Sequence, residues 1–166
     1  KLNNKLVISL SVFNVALGEG EYVYFYEPKN GIGFDSSIFR SRVGNEYEKS
    51  KVRTDRLSNY LNGNVDLLKI DIEGSEFFVI EDLYDNNKLS LVQIVVMEFH
   101  NNVSDKNKLS PILKMFEDSG FKYQFSRPSH IKYEEEHKRD LYYDGYQTMI
   151  LKAWNLSDPE NRKFDL

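Results

Sequence analysis

The sequence contains no cysteine, so it can form no disulfide, no thiolate metal site and no thiol nucleophile. Long apolar runs are also missing. The stretch LVISLSVFNVAL, from Leu6, stops after 12 residues, whereas a membrane-spanning helix needs roughly 18. We therefore expect no membrane span. We interpret this run as a strand rather than a secretory signal, because a Gly18-Glu-Gly turn follows it without a small-residue cleavage pattern.

The chain also lacks a strong charge of either sign. Its net charge of −4 argues against a protein that binds nucleic-acid phosphates, because such binding favours a basic surface. With 166 residues and 11 tyrosines, 11 phenylalanines and one tryptophan, the chain has enough apolar surface for one packed domain. We predict one cytoplasmic domain over residues 1–154 and a polar tail over 155–166. The oligomeric state is left open.

The first part of the sequence predicts two strands and a loop. Residues 6–17 and the aromatic segment 22–26 are separated by a short Gly-Glu turn, which favours a hairpin. Residues 27–51 are rich in glycine, serine and charge and are interpreted as loop. Thr54 or Asp55 can then cap a short helix.

The second part predicts alternating strands and helices. Residues 65–72 have the pattern of a strand buried on both faces, followed by a helix to about Tyr84 and another buried strand at 91–100. Ser110 and Pro111 predict the start of a second helix, which Gly120 ends. Two final strands are expected, at 121–125 and 146–154. This order predicts an α/β fold with a mostly parallel sheet and a C-terminal antiparallel strand pair.

Polar side chains follow two strands that we expect to be neighbours. Asp71, Glu73 and Glu76 come at and after the end of the first, and Glu98 and His100 at the end of the second. Ligands bind at the carboxyl ends of strands in open α/β sheets, so these residues are predicted to face one crevice.

Each of these residues also has a purely structural interpretation. Glu73 and Glu76 can satisfy free N–H groups at the start of a helix. Glu98 can pair with Lys69, and His100 can be a polar residue that ends a strand. His130 and His137, in a charged excursion, are expected to face solvent.

Asp71, Glu73 and His100 are also potential metal ligands. No H-x-x-x-H or D-x-D spacing supports a dedicated cage, so no metal is predicted.

The segment Val65-Asp-Leu-Leu-Lys-Ile-Asp-Ile-Glu-Gly-Ser-Glu76 resembles the central signature of the FkbM-type S-adenosylmethionine-dependent methyltransferases, I-D-[LV]-L-K-I-D-V-E-G-x-E. Further resemblances lie on both sides of this signature. They are Asn14-Val-Ala-Leu-Gly18, the paired serines Ser36-Ser37, the segment Val52-Arg-Thr-Asp-Arg-Leu57 and the pair Gly120-Phe121. The resemblance covers roughly residues 5–154.

The resemblance implies a Rossmann-like class I methyltransferase sheet, S-adenosylmethionine as cofactor and methyl transfer to a hydroxyl of a small molecule or sugar. It places Asp71 as positioning group or base and Glu73 against the acceptor. Asn14, Ala16 and Asp71 are implied as cofactor-binding residues. His100 is a further catalytic candidate that the resemblance does not supply.

Two motifs of the family are missing from this sequence: the glycine-rich loop after the first strand and the acid after the second. We therefore expect the N-terminal strands to be absent from this chain and its activity to need them. One alternative is a non-enzymatic interaction module derived from a truncated methyltransferase. A weaker alternative is a metal-dependent hydrolase that uses Asp71, Glu73 and Glu98.

The excursion at 129–145 obeys no core pattern, and it has two interpretations: a specificity element beside the strand ends, or a solvated surface loop.

Overall fold

The structure, a computed structural model, describes residues 9–29, 37, 46–102, 108–126 and 146–156. Within these ranges the strands are β1 (Ala16–Leu17), β2 (Tyr22–Pro28), β3 (Tyr47–Asp55), β4 (Val65–Ile70), β5 (Val92–Asn102), β6 (Phe121–Ser126) and β7 (Tyr146–Asn155). The α-helices are α1 (Glu76–Asp85) and α2 (Leu109–Asp118), and short 3-10 helices span Leu57–Asn59 and Leu89–Leu91. Ser36, the excursion at 129–145 with both of its histidines, and the tail from residue 157 lie outside the described residues.

Strand β3 is the centre of a three-stranded sheet of order β1-β3-β2. It pairs antiparallel with β2, from Tyr22↔Arg53 to Pro28↔Tyr47, and parallel with β1. The predicted aromatic strand is confirmed. The predicted hairpin between the first two strands is wrong, and so is the loop predicted up to residue 51, because β3 lies between these strands.

Cross-strand contacts explain why the polar segment of β3 is a strand. The ammonium group of Lys49 lies 3.6 Å from the ring centre of Tyr24, and that of Lys51 lies 4.1 Å from the ring centre of Tyr22. Such cation–π pairs are attractive, and cross-strand pairs stabilise sheets. The signal for β3 thus lies in its partner strand rather than in its own sequence.

The predicted first strand is much shorter than expected. Only Ala16–Leu17 pairs with another strand, and residues 9–15 have no regular structure. Leu10 and Val12 are 83% and 82% exposed. A strand is held by its ladder of hydrogen bonds to a neighbour, and among the described residues none pairs with 9–15.

The second sheet has the order β4-β5-β7-β6. β4 and β5 are parallel, whereas β7 is antiparallel to both β5 and β6. The predicted parallel neighbours and the predicted antiparallel C-terminal pair are both present. The prediction of a mostly parallel sheet is wrong for the described strands, because β7 is inserted beside β5 and only the β4–β5 pairing is parallel. The last strand of the chain lies between β5 and β6, which the sequence order did not predict. The described fold is therefore mixed α/β with two small sheets.

Strand β4 is not buried on both faces as predicted. Among the described strands it lies at the edge of its sheet, and Leu67 on it is 58% exposed, while Ile70 is 3% exposed. The apolar run predicts cover on both faces, whereas the described residues cover β4 only in part.

The core lies between the helices and the four-stranded sheet. Its fully buried side chains include Ile80 and Leu83 of α1, Phe116 of α2 and Val95 of β5. Helix α1 covers the predicted range. Helix α2 begins at Leu109, with Lys108 at its N-cap, so the predicted serine cap is wrong by two residues. No helix within the described ranges is long and apolar enough to cross a bilayer.

Leu83→Ala should destabilise the protein by about 2–5 kcal/mol, because it removes a side chain with no exposed surface and leaves a cavity. Leu67→Ala is the matched control and should cost less than about 1 kcal/mol, because Leu67 lies largely in solvent. Urea unfolding of both variants measures the difference. Equal losses would contradict the burial described for α1 and β4.

Candidate active site

A strained turn carries the acidic residues that follow β4. Glu73 has a φ of +56° and Gly74 a φ of +112°, a region that costs a non-glycine residue about 1–2 kcal/mol. The hydroxyl of the buried Ser37 donates a hydrogen bond of 2.8 Å to the carbonyl oxygen of Glu73. The backbone of Ser37 in turn bonds to Tyr26 of β2. The first sheet therefore anchors the turn of the second.

The register of β4 and β5 brings the two predicted polar groups together. Ile70, the last residue of β4, pairs with Met97 in β5. The residues just after β4 therefore lie beside Glu98 and His100, as the sequence predicted. Ligand atoms of Asp71, Glu73 and His100 all lie within 4.8 Å of one another.

His100 is at the centre of this group, which we call the His100 cluster: Asp71, Glu73, Glu76, Glu98 and His100. Its side chain is only 5% exposed, and its Nδ1 lies 2.9 Å from Oε1 of Glu76. Its Nε2 lies 3.5 Å from Oε2 of Glu73 and 3.6 Å from Oε1 of Glu98. The first distance is a hydrogen bond, whereas the other two are too long for one.

Glu76 is the partner that fixes the imidazole. Its side chain is fully buried at the start of α1, and its Oε1 also accepts a hydrogen bond of 2.8 Å from the backbone N–H of Gly74. Its buried Oε2 has no hydrogen-bond partner among the residues that the structure describes. A carboxylate oxygen accepts hydrogen bonds, so Nδ1–H of His100 donates to Glu76 while Nε2 faces the carboxylates of Glu73 and Glu98.

The purely structural roles that the sequence suggested for these acids are confirmed for Glu76 and not for Glu98. Glu76 does satisfy a free backbone N–H near the helix start, but it also binds His100, which the sequence did not predict. Lys69 pairs with Asp71 at 2.8 Å rather than with Glu98. Asp71 is the exposed member of the cluster, with 36% of its side chain accessible.

The predicted cofactor-binding residues Asn14 and Ala16 make none of the contacts described for the His100 cluster. Ala16 is in β1, and the exposed Asn14 precedes it. A cavity of about 110 Å³ lies beside the end of β1. It is lined by Leu17, Gly18, Glu19, Val23, Thr54 and Phe78.

Asp55, at the end of β3, organises the neighbouring loop. Its carboxylate accepts hydrogen bonds from the Tyr60 hydroxyl at 2.8 Å, the Asn59 amide at 2.6 Å and the Arg56 backbone N–H at 2.8 Å. These bonds, that from Tyr60 first, lower the pKa of Asp55 below its ordinary value. The same contact raises the pKa of Tyr60.

Comparison with family models identifies the chain. Residues 2–123 match the methyltransferase FkbM domain. The match covers well over half of the sequence, so the chain belongs to the FkbM methyltransferase domain family. The resemblance noted in the 65–76 signature is thereby confirmed, although the match ends before β7. Searches of curated proteins and of solved structures found no match.

Glu76→Ala should destabilise the protein by roughly 2–4 kcal/mol, because it removes the fully buried acceptor of hydrogen bonds from His100 and Gly74 and leaves a void. Glu76→Gln keeps the volume and one acceptor oxygen and should cost about 1 kcal/mol. Urea unfolding of the two variants tests this. Equal stability of Glu76→Ala and the parent protein would contradict a buried role for Glu76.

Asp55→Asn should lower the melting temperature at neutral pH. Because the pKa of Asp55 is depressed in the folded state, the stability it contributes is present above its unfolded pKa of about 3.9 and is lost as the pH falls through the lower folded value. The difference in Tm between parent and variant should therefore shrink below about pH 4. A difference that stays constant down to strongly acidic pH would contradict the assignment.

Proposed function

We propose that this chain is part of an S-adenosylmethionine-dependent methyltransferase that methylates a hydroxyl oxygen of a small molecule or sugar. Membership of the FkbM methyltransferase domain family supports methyl transfer. The observation that carries the site assignment is the His100 cluster, in which the carboxylates of Asp71 and Glu73 and the imidazole of His100 lie together at the carboxyl ends of adjacent parallel strands.

The acidic edge suits a positively charged cofactor. The sulfonium centre supplies the transferable methyl group, and Asp71 and Glu73 provide negative charge that is accessible from solvent. The described cavity beside β1 holds about 110 Å³, less than the roughly 300 Å³ or more of typical ligand pockets. This cavity therefore has room for only one part of such a cofactor. We propose that Asn14 and Ala16, which precede the cavity residue Leu17 in the chain, and Asp71 contact the cofactor, and that the glycine loop missing from this sequence holds the rest.

Within this proposal Asp71 and Glu73 position the acceptor. The hydroxyl oxygen forms the new bond to the methyl carbon as the carbon–sulfur bond breaks, and the hydroxyl proton passes to a carboxylate. Asp71 is the candidate for this step because it is the most accessible acid of the cluster. Proximity and alignment supply much of the rate in such a transfer, and a positioned base contributes about 10²–10⁴-fold.

The enclosed His100 is proposed to hold Glu73 in place. Its ring is nearly inaccessible, and its Nδ1 is engaged by Glu76. The strained backbone of Glu73 needs such support from its surroundings. In this proposal His100 does not contact the acceptor; it positions Glu73, and Glu73 contacts the acceptor.

Calorimetry with S-adenosylmethionine tests the cofactor assignment. The protein in its full natural length should show saturable binding, and methyl transfer should be followed with radiolabelled cofactor against a panel of hydroxylated acceptors. No heat at millimolar cofactor would contradict the proposal and would favour the interaction module.

Asp71→Ala should reduce methyl transfer at least about 100-fold while leaving the urea midpoint within error, because Asp71 is an exposed carboxylate. Asp66→Ala, a substitution of the exposed acid near the start of β4, the strand that Asp71 follows, is the matched control and should retain activity. If both variants are equally active, Asp71 has no role in the reaction.

A further inference from the structure

We infer that the outer face of the β2–β3 pair binds an acidic saccharide, a sugar chain that carries carboxylates. We call this surface the tyrosine–lysine face, and it consists of six side chains: Tyr22, Tyr24, Tyr26, Lys49, Lys51 and Arg53. The choice of a saccharide rests on the proposed function, because the methyl acceptor proposed there includes a sugar. The inference adds the class of that sugar and the surface that holds it.

The register of β2 and β3 places these six side chains on one face. Side chains alternate between the two faces of a strand, and residues directly opposite each other in an antiparallel pair share a face. Three rows of one tyrosine and one cation result: Tyr22↔Arg53, Tyr24↔Lys51 and Tyr26↔Lys49. The sequence does not predict this arrangement, because the tyrosines and the cations belong to different strands.

The same alternation separates the charges of the two strands. Glu27 and Glu48 oppose each other on the other face, which also holds Val23. That face is turned toward α1, because Val23 and Phe78 line the same cavity. Among the described residues of β2 and β3 up to Arg53, the tyrosine–lysine face carries three cations and no acid. A chain with a net charge of −4 thus has a local positive surface, which complements an anionic partner.

The rings and the cations of this face are exposed and already in contact. Tyr22 and Tyr24 are 48% and 50% exposed, and Lys49 and Lys51 are exposed as well. The ammonium group of Lys49 lies over the ring of Tyr24, and that of Lys51 over the ring of Tyr22. These contacts hold the flexible lysine side chains in place before a ligand arrives, which lowers the entropic cost of binding.

A saccharide with carboxylates makes use of both parts of the face. The apolar C–H surface of a pyranose packs on an aromatic ring, and the tyrosine hydroxyl bonds to sugar hydroxyls. Carboxylates form charge-assisted hydrogen bonds with lysine and arginine. Neighbouring tyrosines of β2 are two residues apart, which is about 7 Å along the strand. The face therefore suits an extended chain of sugars.

A second contact joins this face to the acidic edge of the other sheet. The backbone of Tyr26 bonds in both directions to Ser37, whose hydroxyl bonds to the carbonyl oxygen of Glu73. A chain that extends from the Tyr26 end thus approaches carboxylates. A nucleic acid carries a phosphate on every nucleotide and is repelled there, whereas neutral sugars can separate the charges of a saccharide. This difference favours the saccharide over single-stranded nucleic acid.

Calorimetry of the full chain with hyaluronan oligosaccharides, in which glucuronate alternates with a neutral sugar, tests this inference. We expect saturable binding with a Kd of about 1 mM or tighter, and weaker binding at high salt because the cations are exposed. Neutral chitin oligosaccharides of the same length should bind at least about fivefold more weakly, because they lack the carboxylates.

Substitutions of the face and of a distant lysine locate the binding surface. Lys51→Gln should weaken binding about tenfold, because it removes a charged donor, and Lys51→Arg should bind as the parent does. Lys152→Gln is the matched control: it makes the same charge change at an exposed position of β7 and should leave the affinity unchanged.

Tyr24→Val separates ring packing from charge. Valine keeps a strand-forming residue and removes the ring, so this variant should bind the oligosaccharide about fivefold more weakly while its urea midpoint stays near that of the parent. If Tyr24→Val does not fold, the comparison of Lys51→Gln with Lys152→Gln still decides the inference, because both lysines are exposed.

No saturable binding at about 10 mM oligosaccharide would overturn the inference, as would equal affinity of Lys51→Gln and Lys152→Gln. Tighter binding of oligouridylate than of hyaluronan would also overturn it and would assign the face to single-stranded nucleic acid. The measurement needs neither cofactor nor methyl transfer. A protein that binds the oligosaccharide but not S-adenosylmethionine would uphold this binding surface and contradict the proposed function, and the reverse result would do the opposite.

Discussion

A buried contact between Glu76 and His100 holds the polar edge of the second sheet together. Glu76 begins the helix that follows β4, and His100 belongs to the neighbouring strand β5. Their bond of 2.9 Å ties helix to strand where neither group is accessible to water. Because the same oxygen accepts the N–H of Gly74, the contact also fixes the turn that presents the exposed acids.

The position of Glu73 depends on the Glu76–His100 contact and on a second contact, from Ser37 beside the first sheet. Ser37 bonds to β2 on one side and to the carbonyl of Glu73 on the other. The strained residue is thus held between the two sheets, with its carboxylate beside Nε2 of His100. The site belongs to neither sheet alone, which explains why residues far apart in sequence act as one group.

Sequence patterns predicted the strands and helices that have a clear apolar pattern of their own, and they missed those that depend on contacts with a partner strand. The apolar run of β5 predicted a strand, and the apolar spacing of α1 predicted a helix. The acids after β4 were correctly expected near His100. β3 was missed because its lysines are stabilised by tyrosines of another strand. The exposed face of β4 and the insertion of β7 between β5 and β6 depend on strand order, which sequence periodicity does not encode.

The same limit applies to the site. The sequence predicted that Glu76 either faces the crevice or satisfies free N–H groups at the start of the helix. Its burial against His100 could not be predicted, because it depends on the register of β4 and β5. Ser37 was noted as one of a serine pair, and its role as anchor of Glu73 required the folded chain. Asn14 and Ala16 still rest on the resemblance alone, since the cluster does not include them.

The central claim is that Glu76 sets the state of His100, and long-range ¹⁵N–¹H correlation of the imidazole rings at neutral pH tests it most directly. We predict that His100 carries a proton on Nδ1 that donates to Glu76, and that Glu76→Gln weakens this hydrogen bond and shifts its resonance. A ring whose Nδ1 carries no proton, or one whose Nδ1 signal is unchanged in Glu76→Gln, would contradict it.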